Sequence, residues 1–128
     1  MDLRKLNNIS QDMTHDLPLL EDILDLMTRK KCGIMSVLDL RAAYHQIPIS
    51  EESKYLTCFT TPHRGDFQYN RLVMGAKQSP CWMTVVLRKL FRNDINVFVL
   101  VYLDDILICS ENVQEHFCHL RQVFDKFR

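Results

Sequence analysis

Glycine and proline are scarce in this chain, with three glycines and four prolines among 128 residues. Disordered and low-complexity segments are commonly rich in such residues, and no segment of that kind is visible here. The hydrophobic fraction of 47% is large enough to build a core. The sequence therefore predicts one ordered domain, or part of one.

Net charge is also absent, because 16 basic residues balance 16 acidic ones. A strong positive excess would indicate a nucleic-acid binder, so any such role must depend on local clusters of basic residues. No apolar run approaches the roughly 20 residues of a membrane-spanning helix, and no secretory signal precedes the domain. We therefore expect no membrane partner.

The five cysteines are odd in number and show no C-x-x-C spacing. Both observations argue against a disulfide framework and against structural zinc, so an intracellular, reducing location is the simplest expectation. His116, Cys118 and His119 lie close in sequence, but no matching ligand pair lies elsewhere. An ordinary helix surface is therefore favoured there over a zinc site.

Two adjacent aspartates, Asp104 and Asp105, interrupt the most apolar part of the chain. The flanking residues 97–103 and 106–109 have the composition of two short strands, which places the pair at or near a hairpin tip. One interpretation is a polar turn, since aspartate is common in turns. The other is a divalent-metal site, because two carboxylates on a rigid hairpin suit such an ion.

Periodicity predicts a helix that begins around residues 16–18 and ends near Gly33, then a strand over residues 34–40. Residues 1–15 are expected to be irregular. Further segments are a strand pair over 55–61 and 67–73, a helix over 79–92 with Ser79 as N-cap, the Asp-Asp hairpin, and a helix after Asn112 with Glu115 completing a capping box. The order predicts an α+β fold, an antiparallel sheet packed on helices.

Apolar residues at helical spacing predict which face of each helix is buried. They are Leu20, Ile23, Leu24 and Met27 in the first helix, Met83, Val86, Leu87, Leu90 and Phe91 in the second, and Phe117, Leu120, Phe124 and Phe127 in the last.

A third carboxylate, Asp39, ends the strand over residues 34–40. If that strand joins the Asp-Asp hairpin in one sheet, Asp39, Asp104 and Asp105 converge at its edge. Three acids without a nearby base suit Mg²⁺, which prefers oxygen ligands, and two such ions support phosphoryl transfer.

The motifs extend this hypothesis. Residues 101–108 resemble the YxDD box of reverse transcriptases, in the YLDD form common in Gypsy-type LTR retrotransposons, and residues 36–47 resemble the LDLxxGYHQI segment. Residues 2–7 are similar to the DxRxLN segment of the fingers, residues 17–24 to the LP-containing helix, and residues 115–120 to the EEHxxHL segment. The resemblance covers nearly the whole chain and implies a reverse-transcriptase palm with part of the fingers.

The resemblance also implies roles for individual residues. Asp39, Asp104, Asp105 and the backbone carbonyl of Leu40 would bind two Mg²⁺ ions, with Mn²⁺ as an alternative. Tyr44 would lie under the nucleotide sugar and exclude a 2′-hydroxyl. The remaining implied contacts are Met74 and Gly75 with the nucleotide, and Arg4, Asn7, Lys77, Gln78, Ser79, Pro80, Tyr102 and Leu103 with primer and template.

Two residues depart from the family pattern. Ala43 stands where glycine is usual, which is tolerable unless the backbone there needs positive φ. Met74 replaces the phenylalanine of the PFGL segment, and methionine packs less specifically than an aromatic ring. Neither change touches the three aspartates.

By resemblance, residues 1–128 form a partial reverse transcriptase domain, with the upstream fingers, thumb, connection and RNase H outside it. Its partners would be RNA or DNA template-primer, deoxynucleoside triphosphates and the other Pol segments, including integrase. Its function would be RNA-directed DNA polymerisation in retrotransposon replication. Alternatives are an inactive retroelement remnant that keeps the fold, and a helical protein-interaction module, which leaves Asp104 and Asp105 unexplained.

Overall fold

The computed structural model describes residues 2–13, 20–29 and 31–128. The predicted start of the first long helix, at residues 16–18, lies outside them. The elements within the described residues are α1 (Arg4–Ile9), α2 (Leu20–Arg29), β1 (Ile34–Asp39), a 3-10 turn (Ala43–Gln46), α3 (Glu51–Lys54), a second 3-10 turn (Tyr55–Thr57), β2 (Phe59–Thr61), β3 (Gly65–Phe67), α4 (Ser79–Leu90), β4 (Val99–Tyr102), β5 (Asp105–Ser110) and α5 (Val113–Lys126).

The central sheet has three antiparallel strands in the order β1-β5-β4. It confirms the predicted α+β fold, in which the strand carrying Asp39 joins the Asp-Asp hairpin in one sheet. Because successive side chains of a strand point to opposite faces, this sheet has one face toward the helices and one face away from them.

The helix-facing side of the sheet builds the core. Its strand residues pack with α4, α5 and the first 3-10 turn, and they are Leu38 of β1, Val99 and Val101 of β4, and Ile106 and Ile108 of β5. The other face carries Met35 and Val37, which are 44% and 57% exposed, and ends in Asp39. The sheet therefore leaves one face with accessible apolar side chains beside its carboxylates.

The predicted strand pair over 55–61 and 67–73 is wrong in extent. Tyr55–Thr57 forms a 3-10 turn, and only β2 and β3, of three residues each, pair as a ladder. Beyond it, Arg71 forms an isolated bridge with Pro48. Glu51–Lys54 forms a single helical turn immediately before Tyr55, so the backbone stays helical where the aromatic residue favours a strand.

The N-terminal region also differs from expectation. Residues 4–9 form α1 where an irregular segment was predicted. In α2, Ile23 is buried as predicted, whereas Leu24 is 54% exposed. The left-handed residue after α2 is Lys31, with φ of +48°, whereas Gly33 has no positive φ. No helix among the described residues has the length and apolar character needed to cross a membrane.

The faces of α4 and α5 were predicted only in part. Met83, Leu87 and Phe91 are buried, but Val86 is 40% exposed. In α5, Leu120 packs against the core as predicted. The prediction is wrong for the three phenylalanines, because Phe117, Phe124 and Phe127 are exposed and the buried residues are His116 and Val123. The apolar positions of α5 form two stripes, and the histidine-containing stripe is the one that packs on the sheet.

The helix N-termini show why side-chain caps are hard to assign. Asn112 caps α5 by accepting the Glu115 backbone N–H at 3.0 Å, as predicted, but the Glu115 carboxylate accepts the N–H of Glu111. Ser79 is the first residue of α4, not its cap, because its hydroxyl donates to the Val73 carbonyl at 2.6 Å. The Ser79 hydroxyl therefore bonds to a backbone carbonyl outside the helix and does not cap the N–H groups of its first turn.

Cys32 and Cys109 form a disulfide, with their Cα atoms 5.5 Å apart. The expectation of no disulfide is therefore wrong. Cys109 pairs with Met35 in the sheet, and Cys32 lies just before β1, so strand pairing brings together two thiols that are 77 positions apart. Sequence spacing cannot show such a pair. Cys58, Cys81 and Cys118 are free.

The turn after β1 requires one strained residue. Ala42 has φ of +51°, which favours glycine, whereas Ala43, at the usual glycine position of the family pattern, has no positive φ and is buried in the core. The methyl group of Ala43 is accommodated, so this departure leaves the backbone intact.

We predict opposite effects of glycine at these two neighbouring positions. Ala42→Gly should raise the free energy of unfolding by up to about 1 kcal/mol, since it removes a left-handed penalty of roughly 1–2 kcal/mol. Ala43→Gly, the matched control, should lower it by about 1 kcal/mol through lost burial and added backbone freedom. Urea denaturation measures both, and equal destabilisation by the two changes would contradict the left-handed conformation of Ala42.

Candidate functional site

The carboxylates of β1 and β5 are brought together by strand register. Asp39 and Asp105 are direct partners across the antiparallel ladder, and Tyr102 is the partner of Asp105 on its other side. Directly opposed residues point to the same face, with Cβ atoms about 4.5–5.5 Å apart. The three side chains therefore form a row across the end of the sheet, on the face opposite the core.

Asp104 lies in the tight turn beside this row. β4 ends at Tyr102 and β5 begins at Asp105, so Leu103 and Asp104 form a two-residue loop. The predicted position of the aspartate pair at the hairpin tip is confirmed. Leu103 has φ of +57°, a conformation that a leucine adopts only under constraint from its surroundings.

The three carboxylates have no neutralising partner among the residues that the structure describes. Asp39 is exposed and Asp104 and Asp105 are half-buried. None of the ion pairs or side-chain hydrogen bonds among the described residues involves them. Carboxylates this close repel one another and favour a bound cation.

The side chains of Asp39, Asp104 and Asp105 do not by themselves form a complete set of metal ligands. Across the described ranges, no three histidine, cysteine, aspartate or glutamate side chains are close enough together to hold a metal ion. No metal site forms from His116, Cys118 and His119 either. The ring nitrogens of both histidines hydrogen-bond to serine hydroxyls, and Cys118 is exposed.

Tyr44 interacts electrostatically with Asp104. It lies in the 3-10 turn after β1, half-buried and packed against the core. Burial and, secondly, the negative charge of Asp104 raise the pKa of the Tyr44 hydroxyl. The hydroxyl therefore remains protonated at neutral pH and can donate a hydrogen bond beside the carboxylates.

The loop over residues 74–80 holds the other residues that resemblance assigns to substrate. Met74 is 70% exposed, and Gly75 has φ of +91°. Lys77 pairs with Asp12 at 2.5 Å, and Gln78 donates to the carbonyl of Gln11 at 2.9 Å. Pro80 is half-buried at the start of α4. The segment after α1 therefore holds this loop in place and leaves Met74 and Gly75 accessible.

The two predicted fingers residues make different contacts. Arg4 pairs with Asp2 at 2.6 Å, and its guanidinium lowers the pKa of the Asp2 carboxyl. Asn7 donates to the Gly75 carbonyl at 3.0 Å and accepts the Lys77 backbone N–H at 2.8 Å. The amide of Asn7 therefore clamps the loop through two hydrogen bonds to its backbone.

Sequence reasoning missed a polar cluster beneath the sheet. Ser36, Ser110, His116 and His119 are joined by hydrogen bonds between β1, β5 and α5. The only available signal was the EEHxxHL-like segment, whose histidines were read as ordinary helix surface.

Comparison with known proteins identifies the family. The family model described as reverse transcriptase (RNA-dependent DNA polymerase) matches residues 1–128. The chain is 34% identical over 126 residues to the retrovirus-related Pol polyprotein from transposon 297 of Drosophila melanogaster. This alignment covers 98% of the chain but 12% of the polyprotein, so the chain spans a small part of that relative.

Two solved structures share the fold. The protease-reverse transcriptase of prototype foamy virus is 30% identical and superposes with a TM-score of 0.80, over 98% of this chain and 16% of that one. The foamy viral protease-reverse transcriptase dRH in complex with double-stranded DNA is 31% identical, with a TM-score of 0.67 over 76% of this chain and 18% of that one. With a family match over its full length, the chain belongs to the reverse transcriptase (RNA-dependent DNA polymerase) family.

Proposed function

We propose that this chain is the palm and adjoining fingers of a Gypsy-type retrotransposon reverse transcriptase. In the parent polyprotein it would transfer deoxynucleotides from their triphosphates to a primer 3′-hydroxyl on an RNA or DNA template. The observation that carries the proposal is the register of Asp39 against Asp105, with Asp104 in the adjacent turn and no cationic side chain of the described residues paired with any of them.

The donor set fits hard divalent cations. Asp39, Asp104, Asp105 and the backbone carbonyl of Leu40 offer only oxygen ligands, which Mg²⁺ and Mn²⁺ accept. Two such ions, when bound, would supply charge neutralisation at the phosphates and activation of the attacking hydroxyl. The protein's own contribution is the rigid hairpin, which holds Asp104 in its two-residue turn and Asp105 at the start of β5.

The residues around the carboxylates suit a nucleotide and a primer end. The Tyr44 hydroxyl senses the charge of Asp104, and the ring would pack under the sugar. The accessible Met74 and Gly75 would contact the nucleotide, and Tyr102 and Leu103 would lie near the primer terminus. The remaining proposed primer and template contacts are Arg4, Asn7, Lys77, Gln78, Ser79 and Pro80, with the Asn7 clamp acting mainly through the loop it holds.

An inactive retroelement remnant is the alternative function. It is less well supported because all three carboxylates and the two-residue turn that presents them are intact. The other segments of the Pol polyprotein, including thumb, connection, RNase H and integrase, are the proposed partners in the parent protein. Basic surface from those segments would supply the phosphate contacts that the balanced charge of this chain does not suggest.

We predict that Asp105→Asn abolishes divalent-metal binding and polymerisation while the fold is retained. The amide keeps the size of the side chain but removes the negative charge that a cation requires. Asp125→Asn is the matched control, since this exposed α5 residue forms an ion pair with Arg128 and lies outside the proposed site. Mn²⁺ titration of the 128-residue chain, followed by electron paramagnetic resonance, measures binding, and primer extension by the parent polyprotein measures activity.

The results separate the two candidate functions. Tight Mn²⁺ binding that depends on Asp105 but not on Asp125 supports the polymerase site. Equal Mn²⁺ binding by the Asp105→Asn and unchanged proteins would refute the metal assignment. Metal binding without any extension by the parent polyprotein would favour the inactive remnant.

We also predict that Tyr44→Ala admits ribonucleotides. Loss of the ring opens space next to the sugar, so discrimination against a 2′-hydroxyl should fall by about tenfold or more, as expected for removal of a steric exclusion of 1.4 kcal/mol or larger. Single-nucleotide incorporation of deoxyribose and ribose substrates by the parent polyprotein is the measurement. Tyr55→Ala, which removes a 66% exposed ring from the second 3-10 turn, is the control and should leave discrimination unchanged.

A further inference from the structure

His116 bridges the two strands that carry Asp39 and Asp105. The imidazole is buried, with Nε2 2.8 Å from the Ser36 hydroxyl of β1 and Nδ1 2.9 Å from the Ser110 hydroxyl of β5. The same Ser110 hydroxyl lies 2.8 Å from Nδ1 of His119. One α5 side chain is therefore bonded to both strands at once.

The number of available protons determines which groups donate and which accept in the hydrogen bonds of Ser110, His116 and His119. Ser110 has one hydroxyl proton, so between two neutral histidines it donates to one Nδ1 and accepts from the other. The Glu115 carboxylate lies 3.8 Å from Nε2 of His119 and favours a proton on that nitrogen. We therefore assign Ser110 as donor to His119 and acceptor from His116, which leaves Nε2 of His116 to accept from Ser36. Each ring nitrogen then has a complementary partner.

The bridge matches the spacing of the sheet. Ser36 pairs with Ile108 and Ser110 pairs with Ile34, so the two serines are diagonal neighbours on the helix-facing side. Diagonal neighbours lie about 7–8 Å apart, a gap that one imidazole with a hydrogen bond at each end can span. His116 therefore contacts both serines in the observed register.

The contact of His116 with both serines distinguishes between strand registers that hydrophobic patterning alone would permit. A slip of β1 by one residue would turn its buried side chains outward, so burial alone prevents it. A slip by two residues keeps every side chain on its face but moves Ser36 by roughly 6.5–7 Å, which breaks the bond to His116. The same slip would remove Asp39 from its place opposite Asp105.

We propose that His116 is a positioning residue, which holds Asp39 opposite Asp105 by bonding Ser36 and Ser110 simultaneously. The inference rests on the proposed function, because its consequence is a correctly spaced pair of metal-binding carboxylates. His116 acts from the opposite face of the sheet and does not contact the metal or substrate.

Two other interactions join the start of β1 to the end of β5, close to Ser36 and Ser110. The Cys32–Cys109 disulfide joins the start of β1 to β5, and the Gly33 N–H donates to the Ser110 carbonyl at 3.0 Å. A Cβ at Gly33 would lie 2.5 Å from the Glu111 carbonyl oxygen, so this approach requires glycine. The test is therefore made in excess reductant, which opens the disulfide and leaves the Gly33 hydrogen bond the same in every variant.

The experiment is Mn²⁺ titration of the 128-residue chain. His116→Ala and Ser36→Ala should each weaken Mn²⁺ binding by about tenfold or more, because the apparent affinity falls with the fraction of molecules that keep Asp39 opposite Asp105. Ser36→Ala removes one hydroxyl from β1 and serves if His116→Ala does not fold. His116→Gln, whose amide approximates the position of Nε2, should restore part of the affinity.

His119→Ala is the matched control. It removes a hydrogen bond to Ser110 and a ring stacked on Phe98 at 3.9 Å, yet it leaves the β1–β5 bridge intact. It should lower thermal stability but leave the Mn²⁺ dissociation constant within about twofold, because the bonds of His116 to Ser36 and Ser110, and with them the register, are retained. Amide hydrogen exchange in metal-free protein provides an independent readout, with loss of protection along β1 expected for Ser36→Ala and not for His119→Ala.

The outcomes separate this inference from the proposed function. Asp105-dependent Mn²⁺ binding that Ser36→Ala leaves unchanged would overturn the positioning role and leave the polymerase site standing. Equal weakening by His119→Ala and Ser36→Ala would also overturn it, since general loosening of α5 would then explain the effect. Absence of any Asp105-dependent binding in the unchanged chain would overturn both.

Discussion

The pairing of β1 with β5 is the constraint on which the rest of the structure depends. It places Asp39 directly across from Asp105, and the two-residue turn adds Asp104 next to them. Opposed like charges weaken a sheet, so this arrangement opposes the stability of the strands that create it. A protein that keeps it must hold the register by other contacts and gain from the charge when a cation binds.

Those other contacts lie on the opposite face of the same strands. Hydrophobic side chains such as Leu38 and Ile106 fix which face is buried, but their period of two residues permits shifts in steps of two. Directional hydrogen bonds from His116 distinguish one step from the next, because they require hydroxyls at defined positions. The two faces of the sheet thus differ in role. The helix-facing side carries the hydrogen bonds that specify the register, and the opposite face carries the negative charge.

Sequence reasoning was most successful where a local pattern determines the outcome. The strand ending in Asp39 and the hairpin around Asp104 follow from apolar runs broken by charge, and both are confirmed. It failed where tertiary contacts decide. The period of α5 fits two stripes, and only packing shows that His116 and Val123 face the sheet while Phe117 and Phe124 do not. The Cys32–Cys109 pairing likewise depends on strand register, which cysteine spacing does not encode.

The backbone near the carboxylates breaks local preference in two places. Ala42 follows Asp39 by three residues and Leu103 directly precedes Asp104, and both have positive φ without being glycine. Each such residue costs about 1–2 kcal/mol, so its surroundings must overdetermine it. Propensity predicts neither, because both residue types favour right-handed backbone. Relaxing Leu103 would change the tight turn that presents Asp104, so strain at this position is the consequence of placing a carboxylate at the tip of a two-residue hairpin.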